Sequence, residues 1–162
     1  MSRLVKANLL SQEAFMTFGR VIEKPARDGD VAREYLDWWG GLFDLDFRDK
    51  ASLGYLEIRR QAFEITALER HVRAAEIFIP IQGVSIMPFA PAGDNEDPDA
   101  VPDLSRLTAF IVDGTQGLVI EKGVWHFPPL PITERMVFIL TVRKETADDL
   151  DIKPIETTGI TL

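Results

Sequence analysis

The sequence predicts an all-β protein, a closed or two-sheet barrel preceded by a short helix. Three observations carry this prediction. From residue 53 onward, apolar residues recur at two-residue spacing in a succession of short runs, the period of a strand with one buried face. Clusters of Gly, Pro and Asp punctuate these runs at regular intervals, as turns do. No βαβ rhythm and no glycine-rich phosphate loop interrupts them. Closure is favoured because it removes exposed sheet edges. A chain of 162 residues, 46% of them hydrophobic, suits one domain over residues 1–162 with a substantial core.

The elements follow in order. "LLSQEAFMTFGRVIE" opens with Ser11 as a helix N-cap, acceptor-bearing Gln12 and Glu13 in the first turn, and Gly19 as the stop. The pattern predicts about two turns with Phe15 and Phe18 facing inward, then a strand over "RVIE". In residues 24–50, "REYLDWWGGLFDL" reads as a short helix ending at Gly40–Gly41, and Trp38, Trp39 and Phe43 as a flap over a barrel mouth. "LGYLEIRRQAFEITAL" alternates around a bulge or turn at Arg60–Ala62. "EIFIPI" and "VSIMPFA" are strands either side of a Gln82–Gly83 turn, with Pro80 and Pro88 at edges or bulges because each lacks a ladder donor. The acidic stretch 91–103 is a solvent loop. "LTAFIV" and "GLVIE" flank a hairpin-type Asp113–Gly114 turn. "GVWHFPPLP" leaves a glycine turn along a stiff exit, "ERMVFILTV" is the closing strand, and the polar tail 144–162 reads as loosely ordered or as a docking arm.

Composition excludes several functions. The absence of cysteine removes disulfide and thiolate chemistry and makes a cytoplasmic setting the expectation. The opening "MSRLVKANLL" lacks the apolar stretch of a signal peptide, and the longest apolar runs fall far short of the roughly 20 residues that span a bilayer. A net charge of −8 argues against nucleic acid and anionic membranes as partners. A small anionic substrate, held by one or two local cations, remains compatible with that charge.

The chemistry-bearing residues fall in two clusters. Glu69 and His71, at i and i+2, share one strand face. Glu76 lies beyond a short turn, and Lys122-Gly123-x-x-His126 forms the second cluster. The chain has only these two histidines. Imidazole nitrogens and carboxylate oxygens together suit Mn, Ni, Fe or Zn. The candidate metal set is Glu69, His71, Glu76 and His126, the alternative being a charged strand rim, and no organic cofactor is expected. His71, His126 and Glu121 are the candidate catalytic groups; Glu121 shares strand parity with Val119 and faces either outward or into the barrel. Arg59, Arg60, Gln82 and Lys122 are the candidate substrate contacts, an arginine offering a two-pronged bond to a carboxylate.

The two clusters resemble the cupin metal signature, G-x5-H-x-H-x(3,4)-E-x6-G followed by G-x5-P-x-G-x2-H-x3-N. Glu69 takes the first histidine's place, while His71, Glu76, Gly83, Gly123 and His126 fall in register. Glu121 stands at the proline position and Leu130 at the terminal asparagine. A wider resemblance, carried by "SQEAFMTFGRVIE", "LERH", "FIPI", "PDLSRLTAFIVDGTQG" and "GVWHFPPL", is to the ureidoglycolate lyase family. It implies a small cupin-like β-barrel of the double-stranded β-helix or jelly-roll type, often dimeric. The implied reaction cleaves ureidoglycolate to glyoxylate and urea in allantoin and purine catabolism. Glu69, Arg70, His71, Phe78, Ile79, Pro80, Trp125 and His126 match the family's motifs. The chain departs from them at Glu76, where the family has glutamine, and at Glu121 and Phe127, where it has histidines. Two further readings stay open at this point. One is a metal-dependent enzyme acting on another hydroxy or keto acid, of the sugar-acid isomerase or decarboxylase type. The other is a non-enzymatic barrel that binds a small molecule.

Overall fold

Two-residue alternation becomes strand through most of the chain. In the computed structural model, which describes residues 3–44, 46 and 50–162, the strands are β1 (Arg3–Leu9), β2 (Gly19–Ile22), β3 (Val31–Arg33), β4 (Leu36–Trp38), β5 (Ala51–Arg59), β6 (Glu64–His71) and β7 (Glu76–Gln82). They continue as β8 (Ser85–Ala90), β9 (Thr108–Val112), β10 (Gly117–Ile120), β11 (Trp125–His126), β12 (Leu130–Pro131), β13 (Arg135–Arg143) and β14 (Leu150–Thr161). One helix turn, α1 (Gln12–Phe15), lies between β1 and β2. Among the described residues these strands make three sheets. One is seven-stranded, ordered β11-β6-β14-β1-β9-β8-β12; one is five-stranded, ordered β2-β10-β7-β13-β5; the third is the small β3–β4 hairpin.

The seven-stranded sheet closes on itself, because the two-residue β11 pairs with β6 on one side and β8 on the other. Alternation then gives the closed sheet two apolar faces. Met87, Phe89, Phe110 and Val112 pack with Phe78, Leu118, Ile120, Met136 and Phe138 of the five-stranded sheet, filling the space between the two sheets. Their sequence neighbours Ile86, Ala90 and Ala109 pack instead with Ala7, Ile65, Leu68, Trp125 and Ile160, inside the closed sheet. The protein thus has a front interior between the sheets and a rear interior behind them, sharing β8, β9 and β11 as a wall. The front interior is the two-sheet barrel that the alternation predicts, and it fits the small cupin-like barrel that the resemblance implies.

Ser11 caps α1 as expected, its Oγ accepting from Ala14 N–H at 3.2 Å. The helix is one turn rather than two, because Gly19 belongs to the following strand. There its backbone (φ 155°) passes so close to β10 that an added Cβ would lie 1.8 Å from the Val119 carbonyl oxygen. Phe15 and Phe18 do face inward, meeting Phe89 and Phe110 largely edge to face at 5.1–5.8 Å between ring centres, a favourable aromatic geometry.

Several expectations are corrected. The Trp38 stretch forms the β3–β4 hairpin, not a helix. Its Trp38 is exposed, while Trp39 donates its indole N–H to the Arg27 carbonyl at 2.9 Å and lies under the Lys24 ammonium. Residues 45 and 47–49 of this region lie outside the described residues. The Asp113–Gly114 and Gln82–Gly83 turns are present, with Gly114 and Gly83 at φ 94° and 90°. However, they carry the chain from one sheet to the other, so neither closes a hairpin. The largest departure is the tail. Residues 150–161 form β14, flanked by β6 and β1 in the middle of the seven-stranded sheet. Its alternation is masked by Lys153, Glu156 and an irregularity between Pro154 and Thr158. The proline expectations hold: Pro80 sits where the β7–β13 register shifts, and Pro88 occupies the gap between the β11 and β12 pairings.

Candidate active site

Period-two geometry separates neighbouring residues on β6. Leu68 packs in the rear interior, and Arg70 lies over the Trp125 ring, its guanidinium carbon 4.5 Å from the ring centre. Glu69 and His71 therefore point to the front. β11 repeats the split: Trp125 points to the rear, while His126 is paired with Phe89 and opposite Glu69. After His71 the chain reverses through residues 72–75. The Asp149 carboxylate holds this turn by accepting from the Val72 and Arg73 amides at 3.2 and 2.9 Å. Glu76 then starts β7 on the opposite sheet.

The segment bearing His126 is joined directly to the one bearing His71, because the Gly123 amide donates to the His71 carbonyl at 2.6 Å. Gly123 has φ 81°, and a Cβ there would lie 1.8 Å from Asn95 Oδ1. Both the backbone angle and the space thus favour glycine at this position.

Three of the four expected metal ligands converge: buried His71, Glu76 and His126 offer ligand atoms within 4.8 Å of one another, while Glu69 falls outside that set. His126 Nε2 lies 3.2 Å from Glu76 Oε2 and 3.6 Å from Glu69 Oε1, and His71 Nε2 lies 3.6 Å from Glu76 Oε1. The imidazole centres are 6.1 Å apart. The Glu69 side chain retains about a quarter of its exposure (25%) and marks the side open to solvent.

Electrostatics follow from this packing. Burial opposes charge on both His126 and Glu76, yet their mutual attraction outweighs it. The His126 pKa is raised, with Glu69 assisting, and that of Glu76 is lowered, with His71 assisting. His126 Nδ1 faces the Val124 carbonyl at 3.1 Å, and a carbonyl only accepts, so Nδ1 carries a proton. The other nitrogen then faces two carboxylates. That arrangement is stable only if Nε2 is protonated or a cation lies between them. His71 also has a partner behind it, Thr146 Oγ1 at 3.1 Å from its Nδ1. Two imidazoles held from behind through Nδ1, with their Nε2 atoms aimed at a shared carboxylate, form a donor set that could hold a divalent metal ion.

The other sequence candidates are not brought to this cluster. Leu118 and Ile120 fill the front interior, so Glu121, of Val119's parity, points away from it. Glu121 is exposed and, with Lys122, lines an outer cavity of about 210 Å³ shared with Arg20 and Arg73. Glu121→Gln should therefore leave substrate turnover within about twofold of the parent, as surface changes away from a site do; a steady-state assay checks this, and a large loss would return Glu121 to the chemistry. Arg59, Arg60 and Gln82 lie at the opposite end of the five-stranded sheet from Glu76. Arg59 pairs with Arg135 in the β-ladder, and the Arg60 amide donates to the Glu134 carbonyl. Gln82 lines a separate cavity of about 480 Å³ with Gly83 and Thr133. Sequence reasoning missed Thr146 and Asp149, because their segment reads as polar tail and their partners lie 75 or more residues away.

Comparison with known proteins places the chain in a family. The model of the family described as ureidoglycolate lyase matches residues 2–160. A ureidoglycolate lyase from Escherichia coli O1:K1 / APEC is 33% identical over 153 residues, covering 90% of this chain and 91% of the relative. One from Shigella boydii serotype 18 has the same identity and coverage. A solved structure of a TDP-fucose-3,4-ketoisomerase from Campylobacter jejuni aligns with 80% of this chain and 85% of its own, at 12% identity and a TM-score of 0.47. That likeness is too loose to bear on chemistry.

Proposed function

We infer the reaction from one premise: the chain belongs to the ureidoglycolate lyase family. It is a lyase that cleaves ureidoglycolate to glyoxylate and urea, a step of allantoin and purine catabolism. The observation that carries this reading is the convergence of His71, Glu76 and His126 in the front interior of a family member. Of the chain's three departures from the family's motifs, Glu121 and Phe127 lie away from the cluster and Glu76 stands in it, as a carboxylate in place of an amide.

The net chemistry moves one proton. The substrate carbon bears a hydroxyl, a carboxylate and a ureido nitrogen. The hydroxyl loses its proton as the carbon–nitrogen bond breaks and a carbonyl forms, and the departing nitrogen gains a proton. A single carboxylate can take the first proton and return it to the nitrogen. Glu69 is the group suited to this, being the partly exposed carboxylate at the solvent side of the cluster. His71, Glu76 and His126 would hold a divalent metal, chosen from Mn, Ni, Fe or Zn by donor type. When bound, it supplies positive charge that lowers a hydroxyl pKa and neutralises a carboxylate. Val124 and Thr146 keep the two imidazoles aligned from behind. Phe78, two residues along β7 from Glu76, and Phe89, paired with His126, give the cluster an apolar flank.

We further propose a homodimer. The exposed outer face of the five-stranded sheet, with Leu53, Tyr55, Ile79 and Ile81, supports it. No helix among the described residues is long and apolar enough to cross a membrane.

The test is direct. Protein purified without a metal-binding tag should release urea and glyoxylate in equal amounts from ureidoglycolate. Chelator should abolish that release, and one of the four metals should restore it. No product above the uncatalysed rate would overturn the lyase reading. Full activity in chelator, with no metal in the protein, would remove the metal and leave the lyase.

A further inference from the structure

The two histidines are held from behind by different chemistry. Val124 offers His126 a carbonyl, which leaves that ring one way to be protonated at Nδ1. His71 meets a hydroxyl instead, and a hydroxyl either donates or accepts. By itself the His71 ring could place its proton on Nε2 and donate toward Glu76 Oε1, 3.6 Å away. A proton there would block the nitrogen that faces the cluster.

The segment presenting that hydroxyl is fixed at several points. Glu145 adopts the left-handed backbone conformation (φ 64°, ψ 33°), which non-glycine residues avoid. It sends the chain out of β13 into a tight turn over residues 146–149. Arg143 pairs with Asp148, and Arg73 reaches Asp148 at 3.2 Å. Buried Asp149 accepts from the two amides that follow His71. The turn is thereby anchored to the strand end that carries His71, and Thr146 is the residue of the turn whose side chain reaches the ring.

We propose that Thr146 is a positioning residue: by accepting from Nδ1–H it sets the tautomer and orientation of His71, leaving Nε2 free as a metal donor. The inference rests on the metal reading above and adds to it a residue with no counterpart in the sequence motifs. Second-shell partners of this kind typically affect metal affinity by 10- to 100-fold.

The probe is Zn2+ alone, its affinity measured by competition with a chromophoric chelator. The full-length protein is compared with Thr146→Ser, which keeps the hydroxyl, and Thr146→Val, which keeps the shape without it. The expected result is a Kd about 10- to 100-fold weaker for T146V and within roughly threefold of the parent for T146S, with the two variants unfolding at similar temperatures. Nitrogen-15 spectra of the Zn2+-loaded proteins add a second readout. The chain has two imidazoles, and only the signals of one should change in T146V. Should T146V not fold, Thr146→Ala makes the same deletion without added bulk. A parent protein that binds none of Zn2+, Ni2+, Fe2+ and Mn2+ in the same competition sinks the metal reading and this proposal with it, and one that selects another of the four is compared with its variants in that metal. A parent that binds, with T146V equally tight, overturns the proposal and leaves the metal reading intact. Equal weakening in T146S and T146V also overturns it, because the hydroxyl would not be the cause.

Discussion

Replacing His126 with glutamine should lower kcat/KM for ureidoglycolate by roughly 10²- to 10⁴-fold, the range for losing a positioned group that moves protons or stabilises charge. His126 is almost fully buried and faces both carboxylates of the cluster. It is also tied through the 121–124 turn to the His71 carbonyl. Glutamine keeps an amide able to donate to the Val124 carbonyl, so the loss reports on the imidazole more than on the fold. His71→Gln should cost a similar factor. The double variant should be little worse than either single one, because residues that act as a unit are strongly non-additive. Urea release measured on the three proteins decides this. A His126→Gln enzyme within tenfold of the parent would remove the cluster from the reaction.

The second large effect concerns stability. Arg70 is 1% exposed and engages three partners: Asp151 of β14 through Nε at 2.9 Å, and the Asp94 and Asp97 carbonyls through its two terminal nitrogens at 3.0 and 2.8 Å. It also stacks on Trp125. Arg70→Met fills similar space but strips the Asp94 and Asp97 carbonyls of their donor and leaves Asp151 with Lys153 alone. Breaking a buried pair costs about 3–5 kcal/mol; since Asp151 is partly exposed, about 2–4 kcal/mol is expected here. Guanidinium denaturation should show a lower midpoint at unchanged m. A change below about 1 kcal/mol would mean that the loop and β14 do not depend on Arg70.

This prediction carries a pH signature. Burial alone would raise the Asp151 pKa, but Lys153 and Arg70 outweigh it and hold that pKa below the usual carboxylate range. A depressed carboxylate pKa adds stability that is present above the unfolded pKa and lost as pH falls through the folded one. The parent should therefore lose more stability than Arg70→Met on acidification below about pH 4, the ordinary aspartate range.

Much of this architecture was legible in the sequence wherever the deciding information is local. Alternation located β5 to β10 and β13, and Ser11 announced α1. The i, i+2 spacing placed Glu69 and His71 on one face. What failed depends on partners remote in the chain. β14 is a strand because β1 and β6 lie on either side of it, and its own residues look like a polar tail. Both ladders of β1 are parallel, to β14 and β9, so no turn announces them. Glu121 shows the same limit within the site. Its shared parity with Val119 was readable, but the face it takes depends on which neighbours, Leu118 and Ile120, meet the opposite sheet. Arg59, Arg60 and Gln82 have suitable chemistry but sit at strand ends remote from the histidines, a matter of register that composition cannot convey.

Trp125 and His126 are consecutive residues of one short strand, and they look into different interiors. The indole sits among the packed side chains of the rear, while the imidazole stands among the acids of the front. Evolutionary drift in the rear lining is thus answerable to reaction chemistry it never touches. A lineage that repacks around the indole also moves the imidazole, and selection on turnover would restrain hydrocarbon residues that no substrate ever meets.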